Sequence, residues 1–580
     1  MDLVSCLIWL LAGVGIFIVG MGFLSEALEK SAGGGMKRML EKISNNRFSG
    51  VGIGAGVTAI IQSSSATSVM VIGLVNAGVM TLMQATPIIM GANIGTTITG
   101  ILVALKNDYF NMVMYFLAFA GVMMGFFKKR KIKLAGSLCS GLGLIFVGLE
   151  IMSSEQAFGS KEIKEMFAGV FSTIDFPLLL IFVGVIFTAL IQSSSAATGV
   201  VITMVGTGVL PLELALFIIL GANIGTCVTA LLASVGANAN SKRVAFIHFA
   251  FNAIGSVMFA VLIWIFSDTV VNILISMFPG EDAMALQMRV SAFHVIFNVT
   301  TTLILLPFVK HLVKLSEKLI RDKKDSVSVA KKLDERLFAT PSIAVAQATK
   351  VTYEMSEVSV IALKKSLLLF DSYDIKIADE VRALEDKADK YEDALGSYLV
   401  KLSSRDLSDS DSVQVTRLLH IIGDLERISD HAVNIVESTE EMKDKKISFS
   451  AQATAEIRVM RAALDDILDV TNKTFIENDA ELATEVDPIE EVIDDLRDQI
   501  KLNHIMRLQK SECTIEHGFI LNDLLGNFER VSDHCANIAE CVAETSKLGD
   551  FDMHKYSAEN EESVSFKQKY VYYQQKYKLN

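Results

Sequence analysis

The sequence predicts an all-α protein in two parts: a polytopic membrane domain of two inverted repeats with broken, re-entrant helices, then soluble tandem three-helix bundles. Three observations carry this reading. The first is a division of charge. Of 580 residues 51% are hydrophobic and mean hydropathy is +0.42, too apolar for a soluble chain of this length and too charged for one wholly in a membrane. Residues 1–310 carry a net charge of +3 and residues 311–580 one of −16. The second is repetition in the apolar part. Ile61–Ser68 (IQSSSATS) returns as Ile191–Thr198 (IQSSSAAT), and Gly91–Thr97 (GANIGTT) returns as Gly221–Cys227 (GANIGTC), both 130 residues on. Gly13–Glu29 resembles Gly141–Ala157 at an offset of 128. Three matched blocks in one order mark an internal duplication. The third is a separate repeat in the acidic part, where Gly423–Ile435 (GDLERISDHAVNI) and Gly526–Ile538 (GNFERVSDHCANI) match at 8 of 13 positions.

Apolar segments of spanning length, about 20 residues, lie near 5–25, 110–127, 135–152, 178–206, 211–235, 244–266 and 290–309. The run Leu7–Leu24 lacks a basic flank before it and a clear cleavage site after it, so it reads as a first membrane helix and not a removable signal. The stretch 48–105 is apolar but interrupted by Gly, Ser, Thr and Asn. Such interruptions are tolerated at membrane depth only where backbone lines a cavity or is buried in protein. Basic residues crowd into Lys30–Arg47, Lys128–Lys133, Lys242–Arg243 and the segment from Lys310 onward. By the positive-inside rule these loops are cytoplasmic. Repeat one (5–127) then starts outside and repeat two (135–266) inside, with an extra helix at 290–310. The stretches 50–105 and 177–235 each combine a re-entrant hairpin with one crossing. Inverted repeats with broken helices characterise secondary transporters, whose substrates bind near the midplane.

A linker follows at 311–340. Breaks at Pro341, Asp371–Asp374, Ser403–Ser412, Lys443–Ser450, Asn478–Pro488 and Lys510–Glu512 delimit about six long amphipathic helices over 341–545, most simply two three-helix bundles. The tail 546–580, with Tyr570, Tyr572, Tyr573 and Tyr577, has weak periodicity and reads as disordered.

Candidate binding residues sit in the duplicated blocks. Gln62, Ser63, Ser64 and Ser65, with Gln192, Ser193, Ser194 and Ser195, gather polar groups in apolar surroundings. Serine favours helix breaks and N-caps. A break at midplane frees N–H groups whose positive dipole end can face an anion, while freed carbonyls and hydroxyls can ligate sodium. Close helix packing by small residues is the plainer reading of one such run; two at matched positions favour a site. Asn93, Thr96, Asn223 and Thr226 of the GANIGT blocks add neutral oxygens as cation ligands or as support for the break. No charged residue lies in these blocks, so co-bound sodium and helix N-termini would have to offset an anion's charge. His248 and His294, in the related segments HFAFN and HVIFN, read as interhelical hydrogen-bonding residues.

In the acidic half Glu385 with Asp389, Glu426 with Asp430, Glu490 with Asp494 and Glu529 with Asp533 are carboxylates four apart. Like charges at that spacing repel on an isolated helix, so the repeated set points either to a shared cation or to a solvated acidic face. The charge of −16 argues against a nucleic acid partner. The six cysteines fit no metal or disulfide framework and read as reduced.

Over roughly residues 1–310 the paired QSSS and GANIGT blocks resemble the sodium-dependent phosphate cotransporter family that includes the type II renal carriers, in its bacterial branch. From about 340 to 545 the chain resembles a PhoU domain with tandem bundles and E-x-x-x-D motifs. The resemblance implies secondary active transport of inorganic phosphate coupled to sodium, in the bacterial inner membrane, with a cytoplasmic regulatory domain. For some PhoU proteins it also implies metal clusters, divalent or iron, on those carboxylates. Asn527 stands where the first bundle has Asp424, which sets the two metal sets apart. Three alternatives stay open: a membrane-anchored phosphate sensor, a sodium-coupled carrier of another small anion, and, for partners, a homodimer or a phosphate-signalling protein. An enzyme is the weakest candidate, since no phosphate-binding glycine loop or nucleophile–base set is found.

Overall fold

The computed structural model describes residues 3–41, 46–105, 108–172, 176, 178–321, 332–544 and 564–579. Among the described residues every regular element is helical. The chain divides into two compact units, residues 1–326 with 336–342, and residues 327–335 with 343–580.

The first unit holds α1 (Leu3–Glu41), α2 (Arg47–Ile61), α3 (Ser64–Asn76), α4 (Leu82–Ala104) and α5 (Asp108–Gly125), then α6 (Arg130–Ser153) and α7 (Lys161–Ser172). It continues with α8 (Leu178–Ile191), α9 (Ser194–Gly206), α10 (Leu212–Gly225), α11 (Cys227–Ala233), α12 (Ala239–Met277), α13 (Ala283–Leu305) and α14 (Val309–Leu319). Six described helical segments are long and apolar enough to cross a membrane: Leu3–Ser31, Leu82–Ala104, Lys131–Ser153, Leu212–Ala233, Ala239–Met277 and Ala283–Leu319. The segment 178–206, expected to be long enough to span, is divided at Gln192 into two short helices. Residues 311–319 of the expected linker instead continue as α14.

The duplication is visible element by element: α1, α2 and α3 correspond to α6, α8 and α9, α4 to α10 with α11, and α5 to α12. Small residues let paired backbones approach closely. A methyl group on Gly91 of α4 would lie 2.1 Å from the Val51 carbonyl oxygen on α2, and one on its counterpart Gly221 of α10 would lie 2.0 Å from the Ile181 oxygen on α8. The copies also meet one another. Gly13 and Gly20 of α1 face Gly148 and Gly141 of α6 across the same kind of crossing, so the first matched block of each copy packs on its duplicate. Large apolar side chains stay exposed on α1, α5 and α8, as at Leu11, Phe116 and Leu190, while α3, α4, α9 and α10 are largely enclosed. Faces turned to lipid carry such side chains.

The second unit holds α15 (Pro341–Leu368), α16 (Ile375–Ser403), α17 (Asp409–Asp444), α18 (Ala451–Glu477), the one-turn α19 (Ala480–Ala483), α20 (Val486–Gln509), α21 (Ile515–Glu544) and α22 (Val564–Lys576). Side-chain caps start the helices: Asp374 accepts from the Lys376 N–H, Ser408 from Asp411 and Ser450 from Ala453. Asn478, at φ 53°, ends α18 in the left-handed conformation that asparagine tolerates. The helices α16 and α17, and α18, α20 and α21, pack in two related groups that meet through α17 and α21. Helix α15 bonds to both, accepting at Glu354 from Tyr391 of α16 and donating from Ser356 to Asn472 of α18.

The tail departs from expectation. Its described residues form α22, which packs on α20. Tyr570 donates to Asp495 at 2.5 Å and Tyr573 to Glu485 at 3.2 Å, while Tyr577 and Lys576 both bond Asp466. Tertiary partners for the phenols supply the order that weak periodicity did not forecast. Residues 545–563 lie outside the described residues.

Candidate functional site

The two QSSS runs are helix breaks of the same construction. Gln62 closes α2 with φ 58° and ψ 22°, its N–H still bonded to the Thr58 carbonyl. Ser63 then turns extended, at φ −142° and ψ 106°, and its hydroxyl accepts from the Ala66 N–H, capping α3. Gln192 has φ 59°, and Ser193, at φ −141° and ψ 109°, accepts from the Ala196 N–H to cap α9. The chain doubles back at the first break. Thr58 Oγ1 donates to Thr67 Oγ1 at 2.9 Å, a contact that residues nine apart in a straight helix, about 13 Å along the axis, could not make. In the second copy Ala197 stands where Thr67 would be, and the buried Thr188 hydroxyl has no partner.

Each break leaves the first amides of a new helix, at Ser64 and Ser65 and at Ser194 and Ser195, without helical acceptors. Freed carbonyls lie beside them. That of Ile61 accepts from Ser25 Oγ of α1 at 2.6 Å. Gln62 folds its amide over the break, donating to the Ala59 carbonyl at 2.5 Å and accepting from Thr99 Oγ1 of α4 at 2.7 Å. The two glutamines differ in environment: Gln62 is buried and Gln192 exposed. A direct bond joins the copies at the first break, from Thr229 Oγ1 on α11 to Ser65 Oγ at 3.2 Å.

The GANIGT residues line the neighbouring helices. Asn93, Thr96, Asn223 and Thr226 are buried, and each donates to the carbonyl four residues back. The Asn223 Oδ1 atom also meets His294 Nε2 of α13 at 3.4 Å. The glycines between them do the packing: a methyl on Gly95 would sit 2.7 Å from Thr58 Cβ, and one on Gly225 at 2.7 Å from Thr188 Cβ. In this motif the glycines thus make the close contacts, and the asparagine and threonine side chains bond back to their own chain segments.

The acidic sets gather within each bundle. Ligand atoms of Glu385 and Asp389 on α16 and Asp430 on α17 all lie within 4.8 Å of one another. Burial and the mutual repulsion of these carboxylates raise Glu385 and Asp389 above their ordinary range, and burial beside Asp430 lifts Glu426 to about 7. In the second set burial, with Asp494 and Asp533 close by, pushes Glu490 up to about 8. That set already holds a cation of its own: Arg497 lies 3.2 Å from Asp494 and 2.6 Å from Glu529. Between the bundles His534 Nδ1 meets Asp424 at 2.9 Å, and the duplicate His431 meets Asn527 at 2.9 Å.

The Na+/Pi-cotransporter family model matches residues 16–154 and 156–280, and the PhoU domain model matches residues 352–439 and 457–542. The chain is 30% identical over 291 residues to the uncharacterized protein YqeW of Bacillus subtilis, covering 50% of this chain and 91% of that one. The chain belongs to the Na+/Pi-cotransporter family. It is also 26% identical over 554 residues to the putative inorganic phosphate export protein YjbB of Escherichia coli, covering 93% of this chain and 97% of that protein. It is 39% identical over 103 residues to human sodium-dependent phosphate transport protein 2B, 17% of this chain and 15% of that one. The match to the Na+/Pi-cotransporter family contains both helix breaks and stops at residue 280, before α13.

Several residues at the breaks were not singled out by motif. Thr99 and Thr229 lie three positions after Thr96 and Thr226 at the same 130-residue offset, so extending the repeat alignment by one helical turn would have found them. Ser25 recurs as Ser153 in the first matched block, 128 residues on, but its bond to the freed Ile61 carbonyl is set by the packing of α1 on α2, which the repeat does not announce.

Proposed function

We propose that the chain is a secondary active transporter that couples sodium movement to transport of inorganic phosphate across the bacterial inner membrane, regulated by its PhoU-like unit in the cytoplasm. The observation that carries this reading is the pair of matched helix breaks at Gln62–Ser63 and Gln192–Ser193. Phosphate accepts hydrogen bonds and carries charge, and two capped helix N-termini offer unbonded amides, serine hydroxyls and favourable dipoles. Sodium is served by neutral oxygens: the freed carbonyls, Ser65 and Thr229, and Asn93, Thr96, Asn223 and Thr226. With no lysine or arginine in these blocks, co-bound sodium supplies the compensating charge, which couples the two fluxes. Secondary transport runs in either direction under the net gradient, so export, as in the name of the Escherichia coli relative, and uptake are compatible with one site.

Purified protein in proteoliposomes tests this with labelled phosphate, with and without a sodium gradient. Gln62→Ala and Gln192→Ala should each reduce flux by at least a hundredfold at normal protein levels, since the first removes the amide bonded over its break and the second its counterpart in the duplicated block. Normal flux in both would sink the site assignment. A sensor without transport activity would show phosphate binding and no flux. The loop charges support an inverted arrangement of the copies, with Lys128–Lys133 cytoplasmic. Single cysteines at Lys129 and Lys161, which flank α6, should then label from opposite sides of the membrane.

In the PhoU-like unit, Glu385, Asp389 and Asp430, with Glu426 beside them, are the residues that would hold a divalent or iron ion, which would supply positive charge to the carboxylates. Each set has an arginine beside it, Arg427 in the first and Arg497 in the second, but among the described residues only Glu385, Asp389 and Asp430 bring their ligand atoms within 4.8 Å of one another. One metal set per chain is therefore expected, and metal analysis of protein purified without chelators checks it.

A further inference from the structure

α13 lies outside the duplicated copies and beyond the matched family segments, yet it packs against α4, α9, α10 and α12. One face of it carries Gln287, Ser291, His294, Asn298 and Thr301, spaced four, three, four and three residues apart. That spacing keeps all five on one stripe along about 20 Å of helix. None is more than 3% exposed, and each leaves one polar atom without a hydrogen-bond partner: Gln287 Oε1, Ser291 Oγ, His294 Nδ1, Asn298 Oδ1 and Thr301 Oγ1. Buried polar atoms are nearly always paired, because leaving them unpaired is costly. Ser291 and Thr301 do not even bond back to the preceding turn, the usual resort of a hydroxyl on a helix.

The same arrangement recurs on α12. In both His248–Asn252 and His294–Asn298 the asparagine Nδ2 donates to the histidine carbonyl, at 3.1 and 2.9 Å. Both leave the asparagine oxygen and the histidine Nδ1 unpaired. The stripe also reaches the helix breaks. His294 Nε2 meets Asn223, and a methyl on Gly100, next to the Thr99 that bonds Gln62, would lie 3.4 Å from Ser291 Oγ and 3.8 Å from His294 Nδ1.

The chemistry of the unpaired atoms selects the ligand. Four of the five on α13 are neutral oxygens. The amide oxygens of Gln287 and Asn298 only accept, which suits a cation and not an anion, and the hydroxyls of Ser291 and Thr301 between and beside them can ligate the same cation. The stripe contains no carboxylate, whereas divalent cations are held through carboxylates. Arg289, on the same helix, is committed to the carbonyls of Phe278 and Gly280. We propose that the α13 stripe binds sodium and passes it to the site at the helix breaks. This rests on the sodium-coupled reading given above.

The test uses Ser291→Ala and Thr301→Val in the full-length protein, each of which removes one unpaired oxygen with almost no change of shape. Two measurements are made: half-saturating sodium for phosphate flux in proteoliposomes, and equilibrium binding of radioactive sodium to purified protein without phosphate. Each variant should weaken sodium by about tenfold, the loss of one neutral partner, with phosphate KM at saturating sodium within about twofold of the parent. Ser291→Thr, which keeps the hydroxyl, should restore sodium affinity. A merely structural stripe would give the opposite pattern, an unchanged or higher melting temperature with unchanged sodium affinity, and that result overturns the proposal. Should a hydroxyl variant fail to accumulate, Gln287→Met takes its place under the same criteria. If the parent moves phosphate without sodium, the coupling reading fails by itself, and the binding measurement then decides the stripe: loss in the variants supports it, equal binding overturns it.

Discussion

Gln62 and Gln192 adopt a backbone conformation that non-glycine residues avoid, at a cost of roughly 1–2 kcal/mol each. Glycine would relieve that cost and keep the break, so retention of the amide side chain is the informative feature. The comparison of two substitutions separates backbone from side chain. Gln62→Gly and Gln62→Ala both lose the bonds to Ala59 and Thr99, but only alanine keeps the strain. Gln62→Gly should therefore be more stable than Gln62→Ala by about 1 kcal/mol in thermal unfolding, while both lack phosphate flux. Equal stability would mean that the left-handed turn is not strained in the membrane. At this scale the serine N-caps were legible in the sequence, since serine has a local reason to sit where a helix starts. The left-handed glutamines were not, because glutamine carries no turn signal; its conformation is imposed by Ser63 on one side and the packed α2 on the other.

Whole elements were legible where one local rule governs them. The ends of α15–α18, α20 and α21 fall at the predicted breaks because caps and turn residues are read from neighbours in sequence. The division of the 178–206 segment followed from the duplicated serine run. By contrast α22 depends on phenols reaching Asp495, Glu485 and Asp466 on other helices, which no local pattern announces. The acidic sets show the same limit: their i, i+4 spacing was visible, but not Arg497 crossing the second one. Their environment gives a pH dependence. Glu490, at about 8 in the folded chain against an ordinary 4.5, holds a proton between those pH values that the unfolded chain has released. The native state then binds more protons, so stability falls as pH rises from about 4.5 to about 8. Glu490→Gln should flatten part of that slope and raise the melting temperature of the metal-free protein at pH 8. A melting temperature that climbs over this window in the parent would contradict the assignment.

At the level of the whole molecule, the transporter fold and the PhoU-like unit are separate compact units, and the proposed transport site lies wholly in the first. Phosphate movement should not require the second, which makes control of flux its natural role. The carboxylates of Glu385, Asp389, Glu426 and Asp430 repel one another, offset in part by Arg427 paired to Glu426 and Asp430. Binding of a cation would draw α16 and α17 together, and its loss would loosen them. Two such states can bias flux only if the membrane unit responds to them differently, which is the definition of coupling between sites. Truncation after about residue 325 removes the acidic unit and leaves every residue of both helix breaks and of α13 in place. The shortened protein should still carry phosphate, with its flux no longer dependent on internal phosphate or on added metal. The measurement is labelled phosphate flux in proteoliposomes across a range of internal phosphate concentrations, for the full and shortened chains side by side. Identical dependence in both would remove the unit from the control of flux and leave it a signalling role toward a separate partner. Loss of all flux, with the shortened chain folded, would show instead that the membrane unit is incomplete without it.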